Sequence, residues 1–262
     1  MTTLAIEGLC LAAGARPLVR DVSLGLKRGR VLGLVGASGG GKSLTVLAML
    51  GLLPAGVRQT AGQVRRDGRV LDDAGRAALR GRVAGLVQQS PRACFNPILT
   101  IGQHFTETLA AAGLPRRAIA AHAGGLLEEV GFGAPAPLLG AYPFQLSGGM
   151  LQRVMVALAL ARDPDFLLAD EPTTDLDLVA QAQILALLER LVAGRGIGIL
   201  LVTHDLSVVA RLADEVAVMQ DGRVVEQQGA RGLFAAPRHP ASRDLLRTHL
   251  ALYGETLPED AG

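Results

Sequence analysis

The sequence predicts an α/β fold with a mainly parallel sheet, and three observations carry that prediction. Fully apolar runs of strand length recur at Val31–Val35, Phe166–Ala169, Ile197–Val202 and Val216–Met219; strands without polar alternation are those covered on both faces. The amphipathic helical pattern Val179–Leu191 separates the second run from the third, the order of parallel strands joined by crossover helices. Finally, the first run leads into Gly36-Ala37-Ser38-Gly39-Gly40-Gly41-Lys42-Ser43 and then the helical stretch Leu44–Leu50. That is a strand, a G-x-x-x-x-G-K-S loop and a helix in immediate succession.

Composition narrows the class. A chain of 262 residues is long enough to bury a sizeable core, as one large domain or two small ones. Aromatics are only 3% against 49% apolar residues, so that core is aliphatic. The net charge is +2 with basic residues scattered, which leaves no nucleic-acid footprint. Cys10 and Cys94 lie far apart without metal-ligand spacing, as in a reducing compartment with no disulfide framework. The N-terminus lacks a basic segment followed by an apolar one, so no signal peptide is read. The longest apolar run, Val154–Ala161, is too short to span a bilayer. The expectation is a soluble, cytoplasmic chain that meets any membrane through a partner.

Taken in order, Leu4–Glu7 and Val22–Leu26 read as strands joined by a link around Gly14 and Pro17. The loop and its helix follow, closing near Gly51 and Pro54. The arginine-rich stretch Arg58–Arg82 reads as short strands and turns, and Val83–Val87 as another strand running into Gln88-Gln89-Ser90-Pro91. From about 90 to 160 helical patterns dominate, at Gly102–Leu114, Arg116–Val130 and Met150–Leu160, interrupted by a Gly/Pro-rich link over Gly131–Pro143. Asp221-Gly222 turns the chain into the hairpin strand Arg223–Val225, and the tail from Leu233 carries a short helix, Ser242–Leu252.

The chemistry concentrates at three places. In the loop, glycines allow successive N–H groups to point inward at an anion, and the helix N-terminus adds partial positive charge. Lys42, one of only two lysines among 26 basic residues, is placed to reach the outer phosphates of a nucleoside triphosphate, and the Ser43 hydroxyl to hold Mg²⁺. The strand Phe166–Ala169 ends in Asp170 and Glu171, a Mg²⁺ anchor and a group to polarise water. Val202-Thr203-His204 puts a histidine at the end of the next apolar strand, where it could sense a γ-phosphate or orient the attacking water. A third stretch, Gln145-Leu146-Ser147-Gly148-Gly149-Met150, opens a strong helix and forms a second anion-binding N-terminus. An ordinary N-cap with a flexible hinge is the alternative.

These motifs together resemble the ATP-binding-cassette ATPases over essentially the whole chain. Gly36–Ser43 with Leu44 matches that family's Walker A loop, Gln89 its Q-loop and Leu146–Gly149 its signature. Asp170-Glu171 matches its Walker B pair, Thr174–Asp177 its D-loop and His204 its switch histidine. The resemblance implies a P-loop NTPase, with a RecA-like core, an N-terminal antiparallel β subdomain and an inserted α-helical subdomain. It implies ATP and Mg²⁺ as ligands, with Ser43, Gln89 and Asp170 about the metal, and Glu171, His204 and Gln89 in catalysis. It further implies a head-to-tail dimer in which Ser147, Gly148 and Gly149 of one subunit complete the nucleotide site of the other. The dimer's closing and opening would drive membrane subunits, with the chain peripheral on the cytoplasmic face of the inner membrane.

Asn96–Gly102, Ser147–Met150 and His239–Leu246 are similar to the peptide/nickel importer ATPases. Pro17–Val19, Leu53–Gly62 and His249–Gly254 are similar to the nickel-importing members of that group. That likeness implies a second, non-identical ATPase subunit, two permease subunits and an external binding protein; a carrier of peptides or metallophores stays open. A non-transport cassette protein is disfavoured, because those relatives carry two cassettes or a long coiled coil. The chain departs from the family in lacking an aromatic residue before Phe95, so Ala12–Arg16 must meet adenine by aliphatic or cationic contacts. Gly40 also replaces a serine, and Asp175 replaces a small apolar residue in the D-loop.

Overall fold

The computed structural model describes residues 2–251. The chain folds as two compact units, one taking the residues up to Ala78 and again from Gly198, the other Leu79–Ile197.

The first unit begins with β1 (Thr3–Ala13) and β2 (Arg16–Lys27), followed by β3 (Val31–Val35) and α1 (Lys42–Met49). β4 (Val57–Arg66), β5 (Arg69–Leu71) and α2 (Asp73–Leu79) complete its first stretch. Strands β2-β1-β4-β5 form an antiparallel sheet in that order. β1 runs well past the expected Leu4–Glu7. Its pairing shifts register between Ile6 and Leu9, with Gly8 at φ +61°, so the alternation breaks and then resumes at buried Leu9 and Leu11. A bulge of this kind hides a strand's continuation from any period-two reading.

The second unit holds β6 (Ala84–Val87), α3 (Pro91–Cys94), α4 (Ile101–Ala111) and α5 (Arg116–Glu129). After these come α6 (Pro135–Gly140), a 3₁₀ turn Pro143–Gln145, α7 (Gly148–Ala159), β7 (Phe166–Asp170) and α8 (Leu178–Arg195). β6 and β7 pair in parallel. Helices therefore dominate the region from 90 to 160 as expected, but the unit also carries two strands. The stretch Gly131–Pro143 is not all link: α6 starts on Pro135, whose fixed φ and missing N–H suit a first helical turn.

The chain then returns to the first unit through β8 (Gly198–Val202), α9 (Leu206–Leu212), β9 (Glu215–Gln220) and β10 (Arg223–Gly229). α10 (Ala230–Ala235) and α11 (Pro240–Ala251) complete the described chain. Here the strand order is β10-β9-β3-β8, with β3 parallel to both β8 and β9, and β10 an antiparallel edge. Every residue of β3 and β8 is buried, as their unbroken apolar runs require. α9 and α10, at seven and six residues, are too short to show periodicity in the sequence. They pack Leu206, Val209, Ala230 and Leu233 with Leu246 of α11 against Val35, Val216 and Val218. Leu252, Tyr253 and Gly254, part of the tail that resembles nickel importers, lie outside the described residues.

One carboxylate ties the tail to this sheet. Glu226 of β10 is buried; its Oε1 accepts from the Arg238 N–H and its Oε2 from the His239 N–H, both at 2.9 Å. Burial, the largest single influence, opposes ionisation. The Ser242 hydroxyl, the His239 and Arg238 amides and the Arg238 charge together outweigh it and hold the carboxyl below the usual glutamate range. A folded-state value below the unfolded one means stability present above the unfolded value, about 4.3, and lost as pH falls through the folded one. We expect the protection of amides across α10 and α11, relative to intrinsic exchange, to fall as pH drops below the usual glutamate range. In Glu226→Gln it should be lower already at neutral pH, with no further acid step.

Candidate nucleotide-binding site

The loop leaves β3 at Val35 and turns at Gly36, whose φ is +147°. A Cβ there would lie 2.0 Å from the Met219 carbonyl oxygen of β9, so only glycine fits. The Gly40 N–H donates to the Ala37 carbonyl at 3.2 Å, closing the curl. Lys42 is only 6% exposed, and its Nζ donates to the carbonyls of Gly36 and Ala37, each at 2.9 Å. The ammonium thus lies inside the loop rather than in solvent. α1 starts at Lys42 with Gly41 as its cap; no side chain caps it and no acidic residue stands in its first turn. Its leading N–H groups and partial positive charge are left to an anion. Ser43 is exposed and Leu44 half-buried.

A cleft of about 350 Å³ borders Ala37, Ser38, Gly39 and Gly40, with Arg16, Pro17, Leu18 and Arg20 of β2 across from them. Among the described residues no aromatic ring lines it, whereas two arginines, Arg16 and Arg20, do. Arg20 was not singled out in the sequence, because the hairpin geometry that brings β2 to the loop is not local. His204 emerges at the same edge: β8 runs parallel to β3 with Val202 opposite Leu34, and the Thr203 N–H donates to the Leu34 carbonyl at 3.2 Å. Its side chain is exposed.

In the second unit Val87 of β6 pairs with Ala169 of β7, so Gln89, Asp170 and Glu171 leave one sheet edge together. The two successive glutamines separate here. Gln88 takes a hydrogen bond from the Cys94 thiol at 3.3 Å, and Gln89 is exposed. Burial pushes the Cys94 thiol pKa up, which keeps it a protonated donor. Glu171 has φ +49°, an uncommon conformation for a side-chain-bearing residue, and its Oε2 accepts the Thr174 hydroxyl at 2.7 Å. Thr174 through Asp177 follow directly; Asp175 also has positive φ, and Asp177 caps α8 by accepting from the Ala180 N–H at 2.8 Å.

Ser147 is the N-cap of α7, accepting from the Met150 N–H at 3.3 Å. Gly149 has a packing reason as well: a Cβ there would lie 2.6 Å from the Ala180 Cβ, so its bareness lets α7 and α8 approach. Gly148 meets nothing closer than Leu176 at 3.5 Å. The plain N-cap reading of Ser147 and an exposed helix N-terminus hold together.

Ser43 hydroxyl, Asp170 carboxylate and Gln89 amide are hard oxygen donors of the kind Mg²⁺ takes. The uncapped α1 terminus, the glycine-only curl and the inward Lys42 suit a polyphosphate. Among the described residues, no group of three His, Cys, Asp or Glu could hold a metal ion by itself.

What the fold and these motifs define is a phosphate-loop ATPase. The family described as "ABC transporter" matches residues 19–174, and the chain belongs to it: it is an ATPase whose hydrolysis is coupled to transport. Among its relatives, the nickel import ATP-binding protein NikD of Rhodospirillum rubrum is 53% identical over 254 residues, covering 96% of each chain. The protein of the same name from Pseudomonas putida is 49% identical over 251 residues, covering 96% of this chain and 97% of its own. Of solved structures, cbiO1 from Clostridium perfringens, part of the ABC transporter complex cbiONQ, superposes with a TM-score of 0.76 at 26% identity, covering 96% of both chains. A dimeric ATP-binding cassette in a post-hydrolysis state, bound to ADP and Pi, gives 0.75 at 27% identity, covering 87% of this chain and 99% of its own.

Proposed function

We propose that this chain is the ATP-hydrolysing subunit of a nickel(II) importer. The observation that carries the cargo is near-full-length identity of about one half to proteins named for nickel import. ATP would seat its phosphates on the Gly36–Ser43 curl, with Ala37, Ser38, Gly39, Gly40 and Gly41 giving backbone N–H groups and Leu44 continuing the helix behind. Lys42 turns from its own loop carbonyls to the outer phosphates. Ser43, Gln89 and Asp170 would hold Mg²⁺, which would supply positive charge against the charge that develops on the phosphates. Glu171, steadied by Thr174, polarises the attacking water, and His204 contacts the γ-phosphate. Arg16 and Arg20 face the base in place of an aromatic ring.

Ser147, Gly148 and Gly149 complete the site of a second, non-identical ATPase subunit, with the D-loop Thr174–Asp177 at the same contact. Exposed Leu178 (83%) and Val179 (68%), opening α8, support an interface there. A second apolar surface supports docking of the two permease subunits. Ile98 is 77% exposed, and Phe144, 64% exposed, stacks on Tyr142 at 5.5 Å. The Ile101 N–H, bonded to the Ala141 carbonyl at 2.9 Å, keeps these loops adjacent. No helix among the described residues is long and apolar enough to cross a membrane. The proposal assigns the crossing to the permeases and cargo capture to an extracytoplasmic binding protein, leaving this chain peripheral on the cytoplasmic face.

Lys42→Ala should weaken ATP binding by about tenfold or more, since charge-assisted hydrogen bonds contribute about 1.5–3 kcal/mol; direct nucleotide titration measures it. The cargo is tested by reconstituting the complex with its co-purifying membrane partners. Nickel-loaded binding protein should stimulate ATP turnover. Stimulation by peptide-loaded binding protein alone would overturn the nickel assignment.

A further inference from the structure

A cavity of about 560 Å³ lies in the second unit, among residues that the nucleotide chemistry does not use. Its apolar part is Ala112 at the end of α4, Leu114, Leu126 of α5 and Leu160 at the end of α7. Its polar part is basic: Arg82, Arg162, Arg195 and His122 line it, with Asp163 the one acid. Arg195 is already committed, its Nη1 to Asp163 at 2.9 Å and its Nε to Glu129 at 2.6 Å. His122 Nε2 lies 3.4 Å from the Ala161 carbonyl. The guanidinium groups of Arg82 and Arg162 make no hydrogen bond or ion pair among the described residues. The cavity therefore combines an apolar floor with two uncommitted planar cations, at a volume in the range of small-molecule sites.

We infer that this cavity binds an amphiphilic anion, a phosphate or carboxylate head on a short aliphatic body. Arg82 and Arg162 take the head, because a guanidinium offers paired donors that match an anionic oxygen fork. Leu114, Leu126 and Leu160 cover the body, excluding water from apolar surface on both sides. The rival account is that the arginines only offset the partial negative charge of the helix ends gathered here. In that case they contribute to stability and bind nothing. A soluble anion and an anionic lipid share this head chemistry.

Both sources are tested on the full chain. Calorimetric titration with octyl phosphate should show saturable one-to-one binding, at least tenfold weaker in Arg82→Ala and in Arg162→Ala and undiminished in Lys42→Ala. Flotation with phosphatidylglycerol vesicles forms the second arm, and loss of flotation in the same two variants identifies a lipid as the source. Arg82 is exposed and its guanidinium has no partner among the described residues, so its variant keeps the wild-type melting temperature and reads binding alone. Absence of binding in both arms, binding that survives both substitutions, or binding lost in Lys42→Ala would each overturn the assignment.

Discussion

Glu171→Gln should bind ATP with near wild-type affinity, turn it over about 10²- to 10⁴-fold more slowly, and accumulate ATP-bound dimers. The magnitude is that of a positioned general base or water-polarising group. The geometry makes the substitution clean. Glutamine has the same shape, and its amide oxygen can still accept the Thr174 hydroxyl that Glu171 accepts at 2.7 Å. What it loses is the negative charge that draws a proton from water. Glu171 stands directly after β7 at φ +49°, and strain of this kind persists where surrounding structure holds it in place. Single-turnover hydrolysis, with nucleotide titration alongside, separates this outcome from lost binding. Unchanged turnover would remove Glu171 from the chemistry.

Gly36→Ala should do more damage than its size implies. The added methyl carbon would sit 2.0 Å from the Met219 carbonyl oxygen, on a residue already at φ +147°. Two rigid backbones meet at this point, and no side chain can swing aside. Strain at such a position costs on the order of 3 kcal/mol. That corresponds to roughly 6–12 °C of melting temperature for a chain of this size. If the strand end shifts instead, the loop opens and the N–H curl is lost, so nucleotide titration should show binding weakened at least about tenfold. Gly39→Ala, at a position where a Cβ meets nothing within 4 Å, is the milder comparison.

The features legible in the sequence are those whose cause is local. The apolar run Val31–Val35 is a fully buried strand, and the glycines and lysine after it leave few alternatives to a phosphate curl. The pair Asp170-Glu171 could be placed at a strand end because the preceding residues are all apolar. What was not legible depends on residues distant in the chain. Gly149 reads as part of an anion cradle, yet it also makes room for Ala180 of α8, and nothing near position 149 announces that neighbour. β1 continues to Ala13 because a bulge at Gly8 resets its alternation. Arg16 and Arg20 reach the loop only through the antiparallel pairing of β2 with β1. The missing aromatic and a cationic contact from the stretch ending at Arg16 were visible in the sequence; Arg20 was not.

In the proposed dimer the loop Gly36–Ser43 is half of a catalytic site, completed by Ser147, Gly148 and Gly149 of another subunit. The most direct measurement is the specific ATPase activity of the purified chain with its partner ATPase subunit, followed over decreasing protein concentration. A shared site predicts that activity per subunit falls as the pair dissociates, and recovers when the partner is added back. Activity per subunit that stays constant down to concentrations where sedimentation shows only monomers would contradict it.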